Sequence, residues 1–192
     1  MKIGIVGNIA AGKMTVSRIF KEFGFRIVNA DEIGWKVLEE PEVKSRIVKA
    51  FGSKILTSGK VDRRILGKIV FRDKELLNSL NRIVHPRLID LLKRELTADD
   101  DIVLDCALLD KFGLADYVDY IILVRAPEEV RKRRLIEAGI TAEEAVARID
   151  SQESDERFLD IVDFVIDNNS DFRKLRQDCL RIFQEVSDDR SL

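Results

Sequence analysis

The chain has 192 residues, of which 45% are hydrophobic, which predicts a single globular domain and excludes a wholly disordered protein. Its 33 Lys and Arg residues nearly balance 35 Asp and Glu residues, so net charge favours neither nucleic acid nor an anionic membrane as a partner. No run approaches the roughly 18 apolar residues of a membrane span, and Ile3–Val6 is too short for a signal peptide. The distant cysteines, Cys106 and Cys179, are typical of buried thiols in a reducing compartment. We therefore expect a cytoplasmic protein that binds no nucleic acid and no membrane.

The first thirty residues predict a strand, a glycine-bounded loop, a helix and a second strand. The compact apolar run of residues 2–6 is typical of a buried strand, and residues 25–28 form a second such run. The helix between them is predicted from apolar residues at i, i+3, i+4 and i+7, namely Val16, Ile19, Phe20 and Phe23. This order of elements begins a parallel α/β sheet.

The stretch from Asp31 to about Leu96 indicates helix almost throughout. Asp62 and Asp73 are predicted N-caps of two helices, and Pro86 is predicted in the first turn of another, where its missing N–H is not needed. So long a stretch without a strand does not fit a simple crossover between two strands. Residues 31–97 are therefore predicted to be a helical subdomain inserted between the second and third strands.

Strand signals resume after residue 101, with helices between and after them. Three short β-rich runs are present at residues 102–104, 120–124 and 164–166. Helices are predicted to start near Pro127 and Thr141, and a C-terminal helix carries apolar residues at helical spacing: Phe172, Leu175, Cys179, Ile182, Phe183 and Val186. Together these elements predict an α/β fold of five parallel strands with helices on both faces.

Residues 7–13, GNIAAGK, fit the pattern GxxxxGK directly between the first strand and the first helix. In such a loop backbone N–H groups converge on phosphate oxygens, and Lys13 adds a positive charge at the β- and γ-phosphates. The alternative is an ordinary turn with two glycines. The predicted nucleotide-binding residues of the loop are Asn8, Ala10, Ala11, Gly12, Lys13, Met14 and Thr15.

Met14 departs from this pattern, because a Ser or Thr hydroxyl usually binds Mg²⁺ at its position. A thioether is a poor ligand for a hard, oxygen-seeking ion. Thr15 is turned away by about 100° along the helix, which favours a contact with an α-phosphate over one with the metal. Water, or a carboxylate such as Asp31 or Asp105, is then expected to complete the metal site.

Asp31 follows the second strand, at the end of the sheet where parallel α/β proteins bind ligands. Asp31 and Lys13 are therefore expected to face one crevice. A carboxylate there could orient a substrate hydroxyl and accept its proton during phosphoryl transfer. The alternative is that Asp31 only caps a helix.

The order of motifs over nearly the whole chain resembles the dephospho-coenzyme A kinase family. The matching segments, in order, are GNIAAGK, VNADEIG, VDRRILGKIVF, LNRIVHPRLI, VLDCALL, VRAPEEVRKRRL, ARIDSQ and DFVIDN. The resemblance implies a P-loop kinase that moves the γ-phosphate of Mg·ATP to the 3′-hydroxyl of dephospho-coenzyme A. It also implies a nucleotide-binding core, a helical coenzyme-binding subdomain and a lid, which corresponds to residues 127–158.

The resemblance also implies roles for individual residues. Asp31 occupies the position of the catalytic base, and Arg63 and His85 lie in signatures associated with the acceptor. Arg134 matches a lid arginine near the phosphates, which makes it the functional member of the run 131–134; the other basic residues are expected to form a solvated face. Arg148 and Gln152 match the ARI-x-x-Q segment that follows this arginine.

The chain departs from the family pattern at Asn8, Ala10, Met14, Asn29, Ala107, Asp110, Lys111, Ala138 and Phe158. Three hypotheses therefore remain open. The first is an active dephospho-coenzyme A kinase, with Lys13 and Arg134 on the transferring phosphoryl group and Asp31 on the hydroxyl. The second is a nucleotide-binding homologue that has lost efficient turnover, and the third is another small-substrate P-loop kinase. A monomer or weak homo-oligomer is expected in each case.

Overall fold

A computed structural model describes residues 1–169 and 171–189 of the chain. The helices are α1 (Lys13–Glu22), α2 (Ala30–Val37), α3 (Pro41–Phe51), α4 (Arg63–Val70), α5 (Lys74–Leu96), α6 (Glu128–Glu137), α7 (Ala142–Asp150) and α8 (Phe172–Asp189). The strands are β1 (Lys2–Val6), β2 (Arg26–Asn29), β3 (Leu56–Thr57), β4 (Lys60–Val61), β5 (Ile102–Asp105), β6 (Tyr120–Arg125) and β7 (Phe164–Asp167). Among the residues described, no helix has both the length and the apolar character needed to cross a membrane.

Five strands form one sheet in the order β2-β5-β1-β6-β7, which confirms the predicted α/β fold. The central strand β1 pairs in parallel with β5 and β6, and β7 pairs in parallel with β6. Ile5 lies opposite Asp105 on one side and opposite Ile122 on the other. The carboxyl end of β1, where the glycine loop begins, is therefore flanked by the carboxyl ends of two neighbouring strands.

The chain divides into two compact units, residues 1–28 with 98–192 and residues 29–97. The first contains the large sheet, and its core includes the helix face that the spacing predicted in α1. Ile19 and Phe20 of that face are buried in one cluster with Leu175, Cys179 and Ile182 of α8. The burial of both cysteines was also predicted and is confirmed.

The second unit consists of α2 to α5 and a small hairpin, and α5 contacts each of the other three helices. The predicted N-caps are confirmed: Asp62 accepts hydrogen bonds from the N–H groups at the start of α4, and Asp73 does the same for α5. The hairpin of β3 and β4 was missed, since each strand has only two residues. Its turn is Ser58-Gly59, with φ of 49° and 75°, the positive values that a tight two-residue hairpin turn requires.

Pro86 lies inside α5 rather than in the first turn of a helix, so that prediction was wrong. Proline removes one hydrogen bond from a helix interior and usually ends or kinks the helix. In α5, however, buried residues occur on both sides of the proline: Ile83, Val84, Leu88 and Leu92. Their burial stabilises one continuous 23-residue helix, and tertiary packing outweighs the local propensity of Pro86.

Candidate active site

The loop between β1 and α1 has the conformation of a phosphate-binding loop. Gly7 and Gly12 have φ of 136° and 107°, which side chains rarely tolerate. A Cβ on Gly7 would lie 2.0 Å from the Val124 carbonyl oxygen, and one on Gly12 would lie 2.1 Å from Asn168 Nδ2. Both glycines are therefore needed for conformation and for close packing.

Gly12 is also the N-cap of α1, and it leaves a set of backbone donors at the helix N-terminus. The N–H groups of Gly12, Lys13 and Met14 have no hydrogen-bond acceptor among the described residues. Unsatisfied N–H groups together with the helix dipole favour an anion. Lys13 Nζ lies over the same loop, 2.9 Å from the Gly7 carbonyl oxygen and 3.4 Å from that of Asn8. These groups can bind phosphate, as the motif predicted.

Arg134 and Asn168 brace the loop from α6 and from the end of β7. Arg134 Nη1 donates to the carbonyl oxygens of Ala10 and Ala11, both at 3.0 Å, and Nη2 donates to the Asn168 carbonyl oxygen at 3.1 Å. Asn168 Nδ2 donates to the Ala11 carbonyl oxygen at 2.7 Å. Burial lowers the pKa of Arg134 below its usual value. In this structure Arg134 therefore binds backbone carbonyls, while its predicted contact with phosphate stays a prediction.

A second brace comes from the segment after α7. Gln152 Oε1 accepts a hydrogen bond from the Ile9 N–H at 2.8 Å, and Asn8 Nδ2 donates to the Glu153 carbonyl oxygen at 3.1 Å. Asp155 lies close to the Asn8 N–H and to Arg131; burial raises the pKa of its carboxyl group, while these two groups oppose the rise. The sequence motif ARI-x-x-Q singled out Gln152. No motif pointed to Asp155, and Asn168 was noticed only as the end of DFVIDN.

The basic run 131–134 is not a solvated face with one inward member, as the sequence analysis expected. Arg131 is only 9% exposed, and Arg134 is half-buried against the loop, whereas Arg133 is exposed. Residues at i and i+3 share a helix face, so both Arg131 and Arg134 face the protein. The spacing alone could have indicated this.

Met14 is 55% exposed, and its sulfur accepts a hydrogen bond from Arg18 Nη2 at 3.3 Å. It offers no oxygen to a metal. Thr15 beside it is half-buried, and Arg148 is exposed on α7; no contact of either side chain assigns it to a ligand. Their predicted roles in nucleotide binding stay predictions.

Asp105 is suited to hold a cation in the first unit. It ends β5, lies opposite Ile5 of β1 and is only 9% exposed. No group of three or more His, Cys, Asp or Glu side chains in the described residues could hold a metal. Mg²⁺ does not need one, because it commonly binds one or two carboxylates, waters and phosphate oxygens. Asp105 near the phosphate loop fits that donor set.

Asp31 lies in the first turn of α2, in the second unit, but it is not the cap of the helix. The N-cap is Asn29, whose Oδ1 accepts a hydrogen bond from the Glu32 N–H at 3.0 Å. Asp31 is exposed, and its carboxylate makes no hydrogen bond or ion pair with the described residues. The alternative that Asp31 only caps a helix is therefore wrong. Its carboxylate is available to interact with a ligand.

The two other predicted acceptor residues lie on α4 and α5. Arg63 is the exposed first residue of α4, and its guanidinium carbon lies 4.2 Å from the ring centroid of Trp35. His85 is half-buried in α5, and burial lowers the pKa of its imidazole. The ring is therefore neutral at pH 7. No sequence signal paired Arg63 with Trp35.

A five-stranded parallel sheet with a phosphate-binding loop after its central strand defines the P-loop class of nucleotide-binding proteins. The sequence model of the dephospho-CoA kinase family matches residues 1–174. The chain is 40% identical to the dephospho-CoA kinase of Fusobacterium nucleatum, over 93% of this chain and 97% of that one. It is also 40% identical to the dephospho-CoA kinase of Carboxydothermus hydrogenoformans, over 95% and 93%. A crystal structure of a Thermus thermophilus protein superposes with a TM-score of 0.82 at 29% identity, over 96% of each chain. The chain belongs to the dephospho-CoA kinase family.

Proposed function

We propose that this protein transfers the γ-phosphate of Mg·ATP to the 3′-hydroxyl of dephospho-coenzyme A, the last step of coenzyme A biosynthesis. The observation that carries the proposal is the family match over residues 1–174, combined with a phosphate loop that keeps Gly7, Gly12 and Lys13. The products are ADP and coenzyme A. The new bond joins phosphorus to the 3′-oxygen, and the bond from phosphorus to the bridging oxygen of ATP breaks.

The loop and the residues around it are proposed to bind the nucleotide. The open N–H groups of Gly12, Lys13 and Met14 would donate hydrogen bonds to phosphate oxygens, and the Lys13 ammonium would move from the loop carbonyls to the β- and γ-phosphates. Asp105 would hold Mg²⁺, which supplies charge neutralisation on the phosphate oxygens. Arg134 and Arg148 would add positive charge as the phosphoryl group transfers.

The acceptor is proposed to bind through Asp31, Arg63 and His85. The Asp31 carboxylate would hold the 3′-hydroxyl, accept its proton and so make the oxygen a better nucleophile. That role needs a carboxylate without another partner, and Asp31 has none among the described residues. Arg63 would bind the anionic part of the acceptor, and neutral His85 would offer a hydrogen bond without adding charge.

A coupled assay of ADP release with a panel of acceptors tests this proposal. Dephospho-coenzyme A should be phosphorylated in preference to AMP, CMP and shikimate. Preferential phosphorylation of AMP would instead make the protein a different P-loop kinase. ATP binding without turnover of any acceptor would favour the second hypothesis, a nucleotide-binding homologue, which the exposed thioether of Met14 makes a specific alternative. We also propose that the protein is a monomer or weak homo-oligomer located in the cytoplasm.

A further inference from the structure

Trp35 is the single tryptophan of the chain, and half of its surface is exposed on α2. It lies one helical turn after Asp31. Residues at i and i+4 share a helix face, with Cβ atoms about 5–6 Å apart. A large aromatic ring therefore stands beside the proposed catalytic carboxylate, on the same side of the helix.

Arg63 is held at this ring by a cation–π contact of 4.2 Å between its guanidinium carbon and the ring centroid. Such contacts fix a flexible arginine in one place and leave its N–H donors at the edge of the guanidinium plane available. Neither residue is part of the buried core of its unit. Together, Asp31, Trp35 and Arg63 form an exposed cluster of one carboxylate, one ring and one cation, which we call the α2 platform.

We propose that Trp35 binds the adenine ring of the acceptor nucleoside and holds Arg63 in position for the phosphates of the same molecule; this rests on the proposed function. The chemistry of the acceptor matches the α2 platform group by group. Its 3′-hydroxyl, its base and its 5′-diphosphate all belong to one nucleotide, and the base is one sugar ring away from the hydroxyl. The distance from Asp31 to Trp35 is of the same order. A half-exposed indole stacks well on any base, and a fixed guanidinium suits a diphosphate.

Substitution of Trp35 separates binding of the acceptor from binding of ATP. Trp35→Leu removes the ring and should raise KM for dephospho-coenzyme A by about tenfold or more, within the range expected for one lost stacking contact. Trp35→Phe keeps an aromatic face and should raise it by only about two- to threefold. KM for ATP should stay within about twofold in both variants, because the phosphate loop belongs to the other unit. Phe71→Leu is the matched control, since Phe71 is 79% exposed in the same unit and lies outside the α2 platform.

A purely structural role for Trp35 would give a different pattern. It would lower the melting temperature of Trp35→Leu. KM for dephospho-coenzyme A and KM for ATP would then either both change or both stay the same. An unchanged acceptor KM in Trp35→Leu, or an equal rise in Phe71→Leu, would overturn the proposal. The proposed function is tested separately by wild-type turnover of dephospho-coenzyme A, which does not depend on any Trp35 variant.

Wild-type fluorescence gives a readout that requires no variant, because all indole emission comes from Trp35. With the phosphate loop saturated by inorganic triphosphate, which has no base, titration with dephospho-coenzyme A or with AMP should quench the emission, as both carry adenosine. Phosphopantetheine, the half of the acceptor without a base, should leave it unchanged. Quenching by phosphopantetheine but not by AMP would assign Trp35 to the other end of the molecule and refute base stacking.

Discussion

Replacement of Arg134 distinguishes a residue that binds phosphate from one that holds the phosphate loop in shape. Its guanidinium donates to three backbone carbonyls, those of Ala10, Ala11 and Asn168. If these bonds maintain the loop, Arg134→Ala should destabilise the ligand-free protein. If Arg134 acts only on the phosphoryl group, the ligand-free protein should keep its stability and lose only catalytic rate.

The structure sets the size of the expected effect. A hydrogen bond to a charged group contributes about 1.5–3 kcal/mol, but three bonds from one half-buried side chain are not additive. The Ala11 carbonyl oxygen also keeps its bond from Asn168 Nδ2 at 2.7 Å, which limits the loss. We therefore expect about 2–3 kcal/mol in the free energy of unfolding. For a chain of this size that corresponds to a fall in Tm of roughly 4–12 °C.

The assay is thermal unfolding with and without ATP, together with steady-state kinetics. Arg134→Lys should behave almost like Arg134→Ala in Tm, because one ammonium nitrogen cannot occupy the two positions from which Nη1 and Nη2 donate. Arg133→Ala on the same helix is the control, since Arg133 is exposed and makes only a long contact of 3.9 Å with Glu137. An Arg134→Ala protein with unchanged ligand-free Tm and a large loss of kcat would refute the brace and leave Arg134 as a phosphate ligand.

Three further substitutions test the proposed nucleotide and acceptor residues. Lys13→Ala should abolish most of the rise in Tm that ATP or ADP gives the wild type, and an unchanged rise would exclude the loop as the nucleotide site. Asp31→Asn should lower kcat by roughly 10²-fold or more with little change in ATP affinity; a change within about twofold would contradict its role as base. Met14→Ser restores a hard ligand and should raise kcat/KM for Mg·ATP by roughly five- to thirtyfold, the effect of one charge-assisted contact. Met14→Ala, which removes the sulfur without adding oxygen, is its control, and an equal gain in both variants would contradict the metal-ligand explanation.

Much of the fold was predictable because its signals are local. The buried run of residues 2–6 and the one-sided face of α1 have clear periods, and Asp62 and Asp73 are side chains that readily cap helices. The hairpin of β3 and β4 was not predicted, because two-residue strands are too short to show an alternating pattern of apolar residues. The one sequence signal for it was the turn Ser58-Gly59. The prediction for Pro86 was wrong because it relied on local propensity, whereas α5 is stabilised by burial on both sides of the proline.

The candidate site was predictable where a motif has fixed spacing and not where distant segments meet. The loop followed from GxxxxGK, but its braces depend on residues brought from α6 and from the end of β7. Asp31 was the cap that the sequence analysis considered, and the backbone geometry gives the cap to Asn29, another residue type that caps helices. The stacking of Arg63 on Trp35 joins two helices and left no pattern in the sequence.

The residues that depart from the family pattern differ in the contacts that they make in the structure. Ala10 has φ of 58°, a left-handed conformation that costs a residue with a side chain about 1 kcal/mol or more, and Arg134 holds its carbonyl in place. Asn8 is buried and bonds the segment after α7, and Phe158 is fully buried in the protein core. These three residues thus have structural partners in the protein. Met14 has only an exposed contact with a neighbouring arginine, which contributes little to stability. We therefore expect any effect of Met14 to appear in the handling of Mg·ATP and not in stability.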